Sequence, residues 1–299
     1  MDKKRPIFVL GLQRSGTTWL ANMLSSHPCI AAVEADDHQG VHESIFFSHF
    51  AKGFGDFNHP KSKARFFENF LESDYGILSE VQSDFLEKNE SIDSYHAFFR
   101  AVMDDVARKK GSSNWLEKSP HHTLLADELR LAYPDACFIC VLRSDEELIP
   151  SRLSGFGRTP PSGFKRMSKI IRACAVNAMN HRYIKKLGGK DAQTIVLQYS
   201  DLKKQTEQNM KSILAFLELD WTDEVLAMRY KPNSSFAKVR HENSSLTVVD
   251  QIVIKLARFF FNIVPLNLLL KIEDKINQDR GIDWPDWCWK RVGRLAPKD

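Results

Sequence analysis

Gly11-Leu12-Gln13-Arg14-Ser15-Gly16-Thr17-Thr18-Trp19-Leu20 decides the fold of this 299-residue chain. The apolar run Pro6 to Leu10 in front of it reads as a buried strand. Behind it, Thr17 to Ser26 carries Trp19, Leu20, Met23 and Leu24 at helical spacing. Strand, glycine-bracketed turn and helix together aim free backbone N–H groups and the positive end of a helix at one point. Phosphate is the ligand such a point suits best.

The glycines are spaced nearly as in the phosphate-binding loop G-x-x-x-x-G-K-[ST], but Thr17 stands in the lysine position. Arg14 is the only basic side chain in the loop. Without that lysine, and with no clear magnesium-binding acid paired to it, the loop is poorly made for hydrolysing ATP. It can still hold a terminal phosphate through Gly16, Thr17 and Thr18, leaving Arg14 beside whatever that phosphate carries.

Working outward, strands alternate with helices. Lys63 to Glu72, Ser94 to Lys109, Thr123 to Tyr133, Phe164 to Leu187 and Gln208 to Leu219 read as helices. Ser113 to Glu117, Ala136 to Leu142 and Thr194 to Tyr199 read as strands, and His27 to about Lys63 as loop with short helices. Ser144 with Glu147 three residues on has the capping-box pattern, while Pro150 is expected to interrupt the helix that follows. The pattern predicts an α/β fold: three layers around a central, mainly parallel sheet, in one domain spanning 1–299. An apolar helical extension covers about 246–299.

Composition bounds the function. Hydrophobic content of 43% and charged content of 27% suit a globular protein, and a formal charge of +4 suits an anionic small molecule rather than nucleic acid. Cys137 and Cys140 fall on one strand, pointing to opposite faces, so no metal or redox pair is expected there. An odd cysteine count and an apolar run too short for a signal peptide suggest a reducing, cytoplasmic home.

Further motifs follow in order. Val141-Leu142-Arg143 closes a strand with Ser151 eight residues on; Arg offers phosphate a forked donor set and Ser a hydroxyl. Then come Gln198-Tyr199-Ser200-Asp201-Leu202, Asn233-Ser234-Ser235-Phe236 and, earlier, Trp115-Leu116-Glu117-Lys118-Ser119-Pro120-His121-His122. In this order, the stretches resemble the sulfotransferases that use 3'-phosphoadenosine-5'-phosphosulfate (PAPS), nearest their bacterial and Golgi branches. The likeness covers about residues 6 to 240.

That resemblance implies PAPS as donor and the bisphosphate PAP as product. It implies a 5'-phosphosulfate held by Arg14, Ser15, Gly16, Thr17 and Thr18, and a 3'-phosphate held by Arg143 and Ser151. Tyr199 and Ser234 would contact the nucleotide, and the adenine would lie between Trp19 and Phe236. Here Ser144-Asp145 replaces the family's usual Asp-Pro, and no R-K-G segment is recognisable; Lys238 and Arg240 are candidates to serve instead.

Sulfuryl transfer builds charge on the leaving oxygen, so Arg14 and Lys118 are expected to stabilise it in place of a metal. Glu43, then His121, then Glu34 are the candidate general bases. The acceptor, whether small molecule, glycan or lipid, is open. A nucleotide or sugar kinase sharing the loop is the alternative, and a non-catalytic anion-binding module a third reading. Leu246 to Ile272 is strongly apolar, but Lys255, Arg258, Asn262 and Pro265 interrupt it. It reads either as a core helix or as a helix lying on a membrane, with peripheral contact through 246–294, where Trp284, Trp287 and Trp289 stand among basic residues.

Overall fold

The computed structural model describes residues 5–36, 40–154, 159–190, 192–227 and 245–279. Seven strands are described: β1 (Arg5–Gly11), β2 (Ile30–Ala32), β3 (Glu34–Ala35), β4 (Gly40–Val41), β5 (Asn114–Lys118), β6 (Cys137–Leu142) and β7 (Thr194–Gln198). Before β5 come α1 (Thr17–Ser25), α2 (Pro60–Leu71), α3 (Asp74–Leu78), α4 (Phe85–Lys88) and α5 (Tyr95–Lys109). Then follow α6 (Ala126–Ala132), α7 (Asp145–Leu153), α8 (Gly163–Gly188), α9 (Tyr199–Lys204), α10 (Thr206–Phe216), α11 (Val248–Ile263) and α12 (Leu266–Asp279).

Five strands form one sheet in the order β2-β5-β1-β6-β7, every pairing parallel. Alternation along β1 feeds two cores. Phe8 and Leu10 join Phe98, Phe99 and Val102 of α5 and Ile184 of α8, while Ile7 and Val9 join Leu20, Met23 and Leu24 of α1 and Ile213 of α10. Cys140 lies in the first core and Cys137 in the second, the opposite faces expected of strand residues three apart. The fold is therefore α/β, with a central parallel sheet between helical layers.

From β1 the chain builds one edge of the sheet through β2 and β5, then the other through β6 and β7. Such a switch point opens a crevice at the carboxyl ends of the strands. Gly11, Lys118, Leu142 and Gln198 all end strands there.

Local structure departs from the sequence expectations in four places. Ile30-Ala31-Ala32, within a stretch expected to be loop, pairs with β5 as an edge strand. The helix expected from Thr123 starts later: Pro120–Leu125 is a tight 3-10 turn, because the Thr123 hydroxyl is turned back onto the Pro120 carbonyl at 2.8 Å. Ser144 holds the N-cap backbone position of α7, but its hydroxyl makes no cap bond to a backbone N–H and lies 3.4 Å from Glu147 Oε2. Pro150 sits inside α7 without ending it, so Ser151 is helical.

The C-terminal apolar stretch is not a core helix: α11 buries Ile254 and Ala257 against α8 and leaves most of its larger side chains exposed. Ser234, Phe236, Lys238, Arg240 and the 284–294 tryptophan and basic residues lie outside the described residues.

Candidate active site

The loop between β1 and α1 has the geometry its glycines predict. Gly11 and Gly16 have φ of +150° and +100°, and Arg14 between them is also left-handed at +73°. A Cβ on Gly16 would stand 2.5 Å from the Tyr199 ring, and one on Gly11 2.6 Å from the Val141 carbonyl. The Gly11 N–H donates to Thr123 Oγ1 at 2.9 Å, tying the loop to the turn after β5. Gly16→Ala is expected to lower folding stability by roughly 1–3 kcal/mol, since the left-handed backbone and the contact with the Tyr199 ring both strain the folded chain. A lowered melting temperature of the variant checks this.

Arg14 and Arg143, expected at opposite ends of the donor, meet here, and Ser151, expected beside Arg143, is bonded to Arg14. The Arg143 guanidinium donates to the Arg14 carbonyl at 2.6 Å and lies 4.1 Å over the Tyr199 ring. Arg14 Nε donates to Ser151 Oγ at 3.1 Å. Burial, and then the neighbouring Arg143, pull the Arg14 pKa below its ordinary value; burial does the same to Arg143. Two guanidiniums held this close stay charged, so the arrangement calls for an anion. Among the described residues, three buried polar atoms at this site have no hydrogen-bond partner: Arg143 Nε, Ser15 Oγ and Trp19 Nε1. Trp19 packs edge-on against Tyr199, with ring centres 6.0 Å apart.

Lys118 ends β5 and is 2% exposed. Its Nζ donates to Glu43 Oε1 at 2.8 Å and to Thr18 Oγ1 at 3.2 Å, joining the phosphate loop to the leading candidate base. His121 Nε2 lies 2.8 Å from the Gln13 amide nitrogen, and burial holds the ring below its usual pKa while Glu43 works in the opposite direction. Glu34 lies on the β3–β4 ribbon, where it pairs with Val41.

Several residues of the site were not singled out from sequence. Glu117 is fully buried and receives Ser44 Oγ at 2.7 Å, the Ser119 hydroxyl and His122 Nδ1 at 3.0 Å. His122 Nε2 accepts the Phe47 N–H at 3.1 Å, so the proton sits on Nδ1 and points at Glu117. The Ile45 N–H donates to Ser119 Oγ at 3.0 Å.

These bonds hold Ile45 at φ +42°, an unusual conformation for a β-branched residue, at the start of a π-type turn over Phe46–Phe50. The turn brings His49 against His121, ring centres 4.9 Å apart. Burial first, and then His121, His122 and Lys52, push the His49 pKa down to about 4. Behind the turn lies an open cleft of about 400 Å³, lined by Lys52, Asp56, Phe57, Asp93, Tyr95 and Glu128 among others.

Residues 6–223 match the sulfotransferase family, and the chain belongs to it. The nodulation protein NoeE of Sinorhizobium fredii (strain NBRC 101917 / NGR234) is 23% identical over 227 residues, 71% of this chain and 50% of that protein. The chain thus spans half the length of this relative.

Among solved structures, the sulfotransferase STF1 of Mycobacterium tuberculosis H37Rv superposes with a TM-score of 0.53 at 18% identity, covering 86% of this chain and 76% of that one. The sulfotransferase domain of the Synechococcus PCC 7002 olefin synthase gives 0.52 at 16% identity, covering 89% and 98%. At such identities the structures speak for the fold.

Proposed function

We propose that the chain transfers a sulfuryl group from PAPS to an acceptor hydroxyl or amine. The observation that carries this reading is the convergence at the carboxyl edge of the sheet. Two guanidiniums, Arg14 and Arg143, with unpartnered Arg143 Nε and Ser15 Oγ, face the loop whose far side meets Lys118 and Glu43. The kinase alternative loses its ground with family membership, and Thr17 is buried where a kinase loop would extend a lysine.

The donor's two anionic ends suit these groups. Arg143, with Ser151 held by Arg14, answers the 3'-phosphate; Gly16, Thr17 and Thr18 answer the 5'-end through the start of α1. Arg14 and Lys118 are placed to neutralise the charge that grows on the bridging oxygen as the S–O bond breaks. Glu43, in contact with Lys118, takes the acceptor proton. His121, kept neutral by burial, is the second candidate for that role. The acceptor approaches from the His49–His121 side, beside the cleft.

Calorimetry with PAP, against ADP and ATP with magnesium, tests the donor assignment. PAP should bind without magnesium, and Arg143→Ala should weaken it about 100-fold, the loss of a charge-assisted pair to phosphate. Binding of magnesium-ATP in preference to PAP would sink the reading. PAP binding that survives loss of Arg14, Lys118 and Glu43 together, in a chain that turns over no PAPS, would point instead to an anion-binding module.

A further inference from the structure

The helix α11 is built with its polar anchors inward and its apolar surface outward. Arg166 of α8 reaches both Asp250 carboxylate oxygens, Nε at 3.1 and 3.0 Å and the terminal nitrogen at 2.8 Å. Arg258 reaches Asp145 and Glu146 of α7 at 2.9 and 2.5 Å. Arg182 of α8 donates to the Phe261 and Val264 carbonyls, at 3.1 and 2.5 Å, where the helix ends. The helix is therefore fixed in orientation by ion pairs and hydrogen bonds.

At about 100° per residue, Val248, Ile252, Leu256, Phe259, Phe260 and Ile263 fall within an arc of about 120° on the opposite side. They are 74%, 52%, 66%, 71%, 60% and 65% exposed. A helix facing water has the reverse arrangement, and a contiguous apolar face of this size marks a contact surface.

We infer that this face seats on an anionic phospholipid surface. Two observations select that occupant. First, among the described residues no single helix is long and apolar enough to cross a membrane; α11 and α12 reach that length and apolar content only as a pair, and they meet at 106°. The clamped α11 is thus suited to lie in an interface rather than to span.

Second, the rim is neutral to basic. Asp250, the only acid in α11, is buried under Arg166, while Gln251, Lys255 and Asn262 border the arc. Beyond the bend, Lys271 and Lys275 are exposed on α12 on the same side as Leu268 and Ile272, while Glu273 and Asp274 of that helix fall outside this arc at about 100° per residue. Cations around an apolar face complement anionic headgroups. The inference stands apart from the sulfuryl-transfer reading and does not need it.

Flotation of the full chain tests it, with phosphatidylcholine vesicles containing about one third phosphatidylglycerol against pure phosphatidylcholine. The chain should float with the anionic vesicles and more weakly with the neutral ones. Leu256→Glu with Phe259→Glu should cut binding tenfold or more, and Lys255→Glu with Lys271→Glu should cut it several-fold and remove its salt sensitivity. All four side chains are exposed, so melting curves should match wild type. A chain that ignores both kinds of vesicle overturns the inference. So does a dimer in sedimentation that Phe259→Glu dissociates, which would make the face a subunit interface. Binding gained only on deletion of residues 280–299 overturns it too, by showing that the tail covers α11.

Discussion

Lys118→Met is expected to slow sulfuryl transfer by about 10²–10³-fold, the usual cost of removing one fixed group that stabilises developing charge. PAP affinity should change little, because the charge Lys118 answers appears mainly as the S–O bond breaks. Methionine keeps the unbranched shape in a position only 2% exposed, so packing is preserved while the ammonium is lost. Lys118→Arg should not restore the rate. An ammonium meets Glu43 at 2.8 Å and Thr18 at 3.2 Å, a compact geometry that a planar fork does not reproduce. Single-turnover formation of PAP from labelled PAPS, beside calorimetry with PAP, separates the two quantities. A rate within tenfold of wild type would reduce Lys118 to a structural partner of Glu43.

The strand–turn–helix at residues 6–26 was legible because its signals are local: an apolar run, two glycines at φ above +90° and a helical apolar stripe. Arg143 was legible for the same reason, since it closes an unmistakable buried strand. What the sequence concealed depends on long-range packing. His49 looks like any loop histidine until the π-type turn carries it to His121. Glu117 reads as one letter of a motif, yet it is the acid that Ser44, Ser119 and His122 share across about seventy residues of chain. β2 is three residues long, too short for periodicity to register. For α11 the composition permitted either burial or a membrane face, and only the positions of Arg166, Arg182 and Arg258 decide which side is inward.

The close approach of Arg14 and Arg143 also has a consequence for stability. Like charges half-withdrawn from water repel one another, and folding holds them together around the loop. A dianionic ligand relieves that repulsion, so the chain should be markedly more heat-stable with PAP than without it. Function here is bought with stability.

Glu117→Ala is expected to cost about 3–5 kcal/mol of folding stability, because it leaves His122 Nδ1–H, Ser44 and Ser119 without their shared buried acceptor. Glu117→Gln should recover only part of the loss. An amide can accept from the serines, but its NH2 then meets the His122 Nδ1–H donor, and the other tautomer would face the Phe47 N–H. The defect should also reach the site: without Glu117 and the bonds around it, the left-handed Ile45 is no longer held, and Glu43 two residues earlier loses its placement.

Acid titration isolates the contribution. Burial works to raise the Glu117 pKa, but His122 and the serine hydroxyls outweigh it and hold the group below its ordinary 4.5. Its stabilisation is therefore present above that value and lost as pH falls below it. His49, depressed from 6.5 to about 4, acts in a higher window: the unfolded chain takes up its proton first, costing about 3 kcal/mol as pH falls from 6.5 to 4. Urea denaturation across this range should show both losses in wild type, but only the His49 loss in Glu117→Ala. An unchanged slope below pH 4.5 in the variant would mean that Glu117 is not held ionised by its partners, and the proposed anchor for the Glu43 loop would fall with it.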